Sequence, residues 1–262
     1  MNRVRRLFKH LLRDERTGLI AYVTCGDPDR ETTIRVIEAL EAAGADAIEL
    51  GIPFSDPIAD GPVIQAAAQR ALAQKTTTAD VFAIARAVRQ RSEIPLIAFS
   101  YLNPVMRYGT ARFAAGAREA GIDSLLLTDL PPEAAKDIRE AAKANGLGVI
   151  FLLAPTSSDE RIATIDRASD DFIYYVSTTG VTGARSELDP ALLARLDEIR
   201  TRVHKPLAIG FGISKHEHFL ALRDRCDAIV VGSAIVRAIA DGDAGGAPER
   251  AAAVVLGILK PA

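Results

Sequence analysis

One carboxylate stands where the physics of a sequence disfavours it. Glu49 lies inside the apolar run Ala47-Ile-Glu-Leu50, and an unpartnered carboxylate is costly to bury there. A structural pairing inside the core would account for it. So would acid–base chemistry, because an apolar setting raises a carboxyl pKa toward neutrality. Charge is rare in such interiors without a task, and the catalytic reading is favoured. The segment that follows, Gly51-Ile-Pro-Phe-Ser-Asp-Pro-Ile-Ala-Asp-Gly-Pro62, holds three prolines and two glycines and is shaped for one geometry. It carries two more carboxylates, Asp56 and Asp60. Asp56 could equally cap a turn with its side chain, and Asp60-Gly61 is a turn signal in its own right.

A second cluster suits an anion. Ile209-Gly-Phe-Gly-Ile-Ser214 and Val231-Gly-Ser-Ala234 each place glycines after an apolar run. Glycine lets backbone N–H groups approach an anion closely, and a short helix beginning near Ser233 points its positive end at a phosphate. Glycines also terminate strands, but two such clusters at consecutive strand ends favour phosphate binding. A third stretch, Ser177-Thr-Thr-Gly-Val-Thr-Gly-Ala-Arg185, has the small residues of a lid closing over a ligand, or of an exposed connection. His216 and His218 are two residues apart at a helix start and do not share a face, while His10 and His204 are isolated. No metal site is expected.

These residues need a scaffold that brings strand ends together. Short continuous apolar runs fall at Leu19–Val23, Ala47–Leu50, Pro95–Phe99, Ser124–Leu127, Gly148–Leu153, Phe172–Val176, Pro206–Ile209 and Ala228–Val231. Unbroken runs of this kind read as parallel strands buried on both faces. Helical patterns lie between them at Thr32–Ala43, Ala79–Gln90, Ala111–Ala120, Pro132–Ala144, Asp159–Arg167 and Pro190–Arg200. Eight strands alternating with helices predict a single α/β domain over residues 1–262, a (β/α)8 TIM barrel, with its chemistry at the C-terminal strand ends. A weak internal echo supports the repeat. In residues 43–51, 120–128 and 225–232 a helix ends, an Asp follows, and an apolar strand begins. Pro95 and Pro206 each start a strand, where the N–H can be spared. Met1–Arg13 is Arg-rich and amphipathic, with Val4, Leu7, Phe8, Leu11 and Leu12 on one stripe, and is expected to cap the barrel floor rather than to serve as a targeting leader. Residues Asp241–Ala247 read as a loop before a last helix.

Composition narrows the partners. Net charge is −2 over 262 residues, 48% of them hydrophobic, so a polyanion-binding surface is not expected and nucleic acid is disfavoured. The two cysteines, Cys25 and Cys226, are far apart and read as small buried hydrophobes in a reducing compartment. No apolar run approaches a membrane span. A cytoplasmic protein is expected.

The stretch from Glu49 to Pro62 closely resembles the signature of tryptophan synthase α subunits. The resemblance runs through Thr24-Cys-Gly-Asp-Pro28, Tyr101-Leu-Asn-Pro104, Asp129-Leu-Pro131, Ala154-Pro-Thr156, Gly180-Val-Thr-Gly183, Gly210-Phe-Gly212 and Gly232-Ser233, and so covers nearly the whole chain. It implies retro-aldol cleavage of indole-3-glycerol phosphate to indole and glyceraldehyde 3-phosphate. By motif, Glu49 would be the general acid–base and Asp60 the carboxylate beside the indole N–H. Gly183, Gly212, Gly232 and Ser233 would hold the phosphate. Tyr22, Leu126 and Phe211 would wall the indole pocket, Tyr174 would stand near the catalytic carboxylate, and Thr182 would be the lid threonine.

The resemblance also implies a β-subunit partner in an αββα assembly, reached through the 53–60 loop with Asp56 and Pro57 as contributors. Pyridoxal phosphate would belong to that partner, with no cofactor in this chain. Two positions are worth noting beside the family's pattern: position 22 is often phenylalanine there and is Tyr22 here, and Thr178 stands at a variable lid position. A free-standing lyase that releases indole shares the barrel and both carboxylates. A non-catalytic activator of the β subunit would be expected to lack one of them, and a different sugar-phosphate barrel enzyme would rest on fold analogy alone.

Overall fold

The computed structural model describes residues 2–176, 190–210 and 212–260. Its strands are β1 (Gly18–Thr24), β2 (Ala47–Gly51), β3 (Leu96–Ser100), β4 (Ser124–Leu127), β5 (Gly148–Leu153), β6 (Ile173–Val176), β7 (Leu207–Gly210) and β8 (Ala228–Val231). All pair in parallel with their sequence neighbours, and β8 returns to β1 to close the barrel. The helices are α1 (Arg3–Arg13), α2 (Arg30–Ala42), α3 (Pro62–Ala73), α4 (Thr78–Arg89), α5 (Leu102–Tyr108), α6 (Thr110–Glu119), α7 (Lys136–Ala144), α8 (Asp159–Ala168), α9 (Pro190–Arg200), α10 (His216–Leu222), α11 (Ser233–Ala240) and α12 (Ala247–Leu259).

The expected strands are present with ends shifted by one residue at most. Pro95 and Pro206 sit just before β3 and β7 rather than in them. Lacking an N–H, each contributes its carbonyl, accepting from Ile48 at 2.9 Å and Ile173 at 2.8 Å. The single helix expected over Pro132–Ala144 is broken. A 3-10 turn, Pro132–Ala134, ends at Ala135, whose φ of −91° and ψ of 8° leave the α region before α7 starts. The expected helices did not include α3, because its Ala-rich run Pro62–Ala73 has little apolar periodicity. It is nonetheless built to pack closely, burying Ala67, Ala68 and Ala71.

Inward-facing side chains fill the barrel in layers. The lower layer holds Ile20, Ala47, Ile97, Leu126, Ile150, Phe172, Ala208 and Ala228. Helix α1 closes the floor by adding Val4, Phe8 and Leu11, with the Phe8 and Phe172 rings 5.0 Å apart. The buried stripe is narrower than the sequence pattern: Leu7 is partly buried and Leu12 is 72% exposed. Polar staples fix the helix in place. Asn2 Nδ2 donates to Asp171 at 2.9 Å, and Arg3 and Arg5 pair with Asp123 and Asp171 at 3.2 and 3.1 Å.

The helix–Asp–strand echo has a physical cause. Asp46, Asp123, Asp170 and Asp227 precede the even-numbered strands, and each carboxylate accepts a backbone N–H at the start of the preceding odd strand. The donors are Leu19 at 2.8 Å, Leu96 at 3.1 Å, Val149 at 3.0 Å and Leu207 at 2.7 Å. Charge-assisted bonds of this sort contribute about 1.5–3 kcal/mol each. They tie neighbouring βα units at the end opposite the site, leaving the C-terminal strand ends to function.

Candidate active site

A cavity of about 120 Å³ lies at the C-terminal mouth of the barrel. Strand periodicity explains which residues reach it, since only every second side chain points inward. Tyr22 and Glu49 are register partners on β1 and β2, and both line the cavity. Phe99, Leu152 and Tyr174 face it from β3, β5 and β6, and the Tyr22 and Phe99 rings meet edge to face at 5.2 Å. The three tyrosine and phenylalanine rings give the pocket flat apolar walls. Gly210 permits that arrangement, because a Cβ there would lie 2.4 Å from the Tyr174 hydroxyl.

Glu49 is fully buried, and neither carboxyl oxygen has a hydrogen-bond partner among the described residues. Burial alone pushes its carboxyl up to about 8. It is therefore protonated at neutral pH and able to donate a proton, then to take one back. The structural pairing that would have explained this residue otherwise is not among the described contacts.

Asp60 reaches the same cavity from the loop between β2 and α3. Two backbone turns shape that loop, Ile58 N–H to Asp56 at 2.9 Å and Asp60 N–H to Pro57 at 3.0 Å. Gln65 Nε2 donates to the Asp60 carbonyl at 2.8 Å. Burial pushes the Asp60 carboxyl up and the Tyr101 hydroxyl, donating at 3.0 Å, pulls it down, for a value of about 6. At pH 7 the two carboxyls thus differ: Glu49 is neutral and Asp60 mostly ionised.

The anion end is equally defined. Gly212 and Gly232 line the cavity with Ser233, the first residue of α11. Gly212 has φ +59°, in the left-handed region that favours glycine. No acidic residue lies in the first turn of α11, so its unpaired N–H groups and positive dipole end face the cavity unopposed.

Of the residues expected to form a site, the structure brings Tyr22, Glu49, Asp60, Tyr174, Gly212, Gly232 and Ser233 together. Leu126 belongs instead to the layer beneath, fully buried against the barrel core, because its position on β4 falls one step below the mouth. Asp56 is exposed and Pro57 half-buried on the outer rim of the loop. Thr178, Thr182, Gly183 and Phe211 lie outside the described residues. Sequence reasoning passed over Phe99, Leu152 and Tyr101. Phe99 and Leu152 sit at strand C-terminal ends, and inward parity with Glu49 was the signal available. Cys25 and Cys226 are buried, and burial raises both thiols. Among the described residues, no group of three or more His, Cys, Asp or Glu side chains is placed to hold a metal, and no helix is long and apolar enough to cross a membrane.

Comparison with known proteins agrees with this geometry. The family model described as tryptophan synthase alpha chain matches residues 8–256. The tryptophan synthase alpha chain of Solibacter usitatus is 52% identical over 239 residues, covering 91% of this chain and 90% of the relative. That of Burkholderia pseudomallei is 42% identical over 99% of this chain and 94% of its own length. Among solved structures, tryptophan synthase subunit alpha from Legionella pneumophila superposes with a TM-score of 0.90 at 36% identity, covering 98% of this chain and 97% of that one. A structure of the tryptophan synthase a2b2 complex from Pyrococcus furiosus matches with a TM-score of 0.87 at 40% identity, covering 92% and 97%. A closed eight-stranded barrel, a buried and a half-buried carboxyl at its mouth and this similarity over nearly the whole length together make the chain a member of the tryptophan synthase alpha chain family.

Proposed function

We propose that Glu49 and Asp60 carry out the family's reaction in this chain, the retro-aldol cleavage of indole-3-glycerol phosphate to indole and glyceraldehyde 3-phosphate during tryptophan biosynthesis. The chain is a carbon–carbon lyase. The observation that carries the assignment of roles is Glu49: wholly buried, without a hydrogen-bond partner among the described residues, and facing the cavity. Its neutral carboxyl gives a proton to indole C3, which turns the ring into the protonated indolenine, with the positive charge on the ring nitrogen and the N–H kept. The glycerol hydroxyl adjacent to the scissile bond then loses a proton, its oxygen becomes the aldehyde, and the bonding pair returns to the ring as the C–C bond breaks. One proton enters and one leaves, so a single carboxyl can serve both steps. Ionised Asp60 stabilises the positive charge that develops on the indolenine nitrogen, an interaction stronger in the transition state than in the bound substrate.

Tyr22, Phe99 and Leu152 wall the indole, Tyr174 crowds it toward Glu49, and Leu126 supports the floor from below. Gly212, Gly232 and Ser233 hold the phosphate at the head of α11, with Gly183, Phe211 and the lid threonine Thr182 completing the enclosure. The whole chain acts as one barrel domain in the cytoplasm, and it needs no cofactor of its own.

The Pyrococcus furiosus relative assembles as an a2b2 complex, and this chain likewise pairs with a β subunit that holds pyridoxal phosphate and receives the indole. The outer rim of the 53–60 loop forms part of the contact. Beside Asp56 and Pro57, Ile58 is 86% exposed, and Met106 on α5 is 62% exposed. Large apolar side chains left open on this anchored loop and on α5 mark a docking face.

The test is indole release from indole-3-glycerol phosphate, with and without β subunit. Slow release that the β subunit accelerates, and that Asp60→Asn removes, is the expected outcome. Full release in Asp60→Asn would overturn the assignment, and fast release without the partner would favour a free-standing lyase.

A further inference from the structure

Tyr101 follows β3 directly and caps the start of α5. It is 2% exposed, and its ring lies 5.3 Å from that of Phe54. Its hydroxyl makes two hydrogen bonds with the catalytic loop. The Ala59 backbone N–H donates to the Tyr101 oxygen at 3.0 Å, and the oxygen stands 3.0 Å from Asp60 Oδ2. A phenol has one proton. Because the Ala59 N–H can only donate, the Tyr101 proton is free to point the other way, at Asp60. The relay therefore runs in one direction, from Ala59 N–H through Tyr101 O–H to Asp60 Oδ2.

We infer that Tyr101 is a positioning residue that holds Asp60 ionised, with its other oxygen directed at the substrate nitrogen. The inference rests on the reading of Asp60 given above and adds the group that fixes its state. An acceptor satisfied by a buried phenol is favoured as the carboxylate over the acid. Without that donor, burial would draw Asp60 toward the same neutral form as Glu49, and the pair would lose its division of labour. The other titratable groups facing Asp60 are Tyr22 from β1, Glu49 from β2 and Tyr174 from β6, and no lysine, arginine or histidine lines the cavity among the described residues. Among the described residues no positive charge does this work, and the Tyr101 hydroxyl does.

The experiment is Tyr101→Phe, which keeps the ring against Phe54 and removes only the hydroxyl. Two readouts are taken: the titration of the Asp60 carboxyl by carbon-13 NMR, and the pH profile of kcat/KM for indole release. In the wild type the NMR midpoint and the acid limb are expected near the same value, about 6. In Tyr101→Phe both move upward by about one pH unit, and kcat/KM on the acid side falls about tenfold. Placing 3-fluorotyrosine at position 101, whose more acidic hydroxyl donates more strongly, moves both the other way. A residue that merely braced the loop would lower the whole curve and leave the midpoint and limb in place, and that result overturns the inference. A midpoint that moves while the limb stays would keep the hydrogen bond and overturn the role of Asp60 in the reaction. A circular dichroism melt of each variant separates either outcome from unfolding.

Discussion

Replacing Glu49 by glutamine should abolish indole release and make the protein more stable. The carboxyl is fully buried without a hydrogen-bond partner among the described residues, and burial raises it from 4.5 to about 8. Below pH 4.5 the group is protonated in both the folded and the unfolded chain, and its full stability is present. As pH rises above 4.5 the unfolded chain gives up the proton while the native chain keeps it. Stability then falls with each unit, by about 1.4 kcal/mol, until the native group also ionises near pH 8. At pH 7 the accumulated cost is about 3 kcal/mol, a large share of the few kcal/mol by which a domain is folded. Glutamine has nearly the same shape and cannot ionise, so Glu49→Gln escapes that cost. Urea unfolding between pH 4.5 and 8 measures it, followed by circular dichroism because the chain has no tryptophan. The two proteins should be closest at the acid end and separate by about 3 kcal/mol at pH 7. A gap that does not grow with pH would refute the claim that Glu49 is held neutral, and with it the proton-donor role. The same substitution assayed for indole release joins the two measurements: an enzyme that gains stability as it loses turnover stores its chemistry in a strained group.

Two further outcomes follow from the scaffold and the rim. Asp123 is fully buried and accepts from the Leu96 and Arg3 backbone N–H groups and from the Arg3 and Arg89 guanidinium groups, so Asp123→Ala removes the acceptor of two amides and two cations and should cost about 3–5 kcal/mol in a thermal or urea melt. Breaking the exposed Arg13–Asp14 pair at the end of α1 should leave the melt unchanged; an equal effect of the two would remove the clamp explanation of the barrel repeat. Ile58→Asp puts a charge on a side chain that is 86% exposed, and should weaken binding to a β subunit roughly tenfold or more in a titration. Indole release without the partner should be unaffected, and a loss of that basal activity would place Ile58 in the site rather than on the interface.

Much of this was legible in the residues. Unbroken apolar runs separated by helical patterns led to the eight strands and the barrel, because a parallel strand covered on both faces must be apolar at every position. Glu49 stood out for the same reason, as the one carboxylate interrupting such a run. The glycines after β7 and β8 marked the anion end, since close backbone approach to a phosphate excludes a side chain. Even the helix–Asp–strand echo was visible, though not its cause, which lies in bonds to strands 20 to 27 residues away.

Other features lay beyond the sequence. The Ala-rich α3 has no stripe to detect, and only the approach of β1 and α11 makes it pack. Leu126 and Phe99 are apolar residues of adjacent strands, alike in type. The stagger of the barrel alone sets one beneath the cavity and the other in its wall. Tyr101 is 41 positions from Asp60, and no local pattern records a hydrogen bond between them. The chain by itself determined which groups could do acid–base chemistry and which elements would carry them, because residue type and period are local properties. The tertiary structure decided the proton state of each carboxyl, because burial and a single distant hydroxyl act through space, where neighbours in sequence have no say.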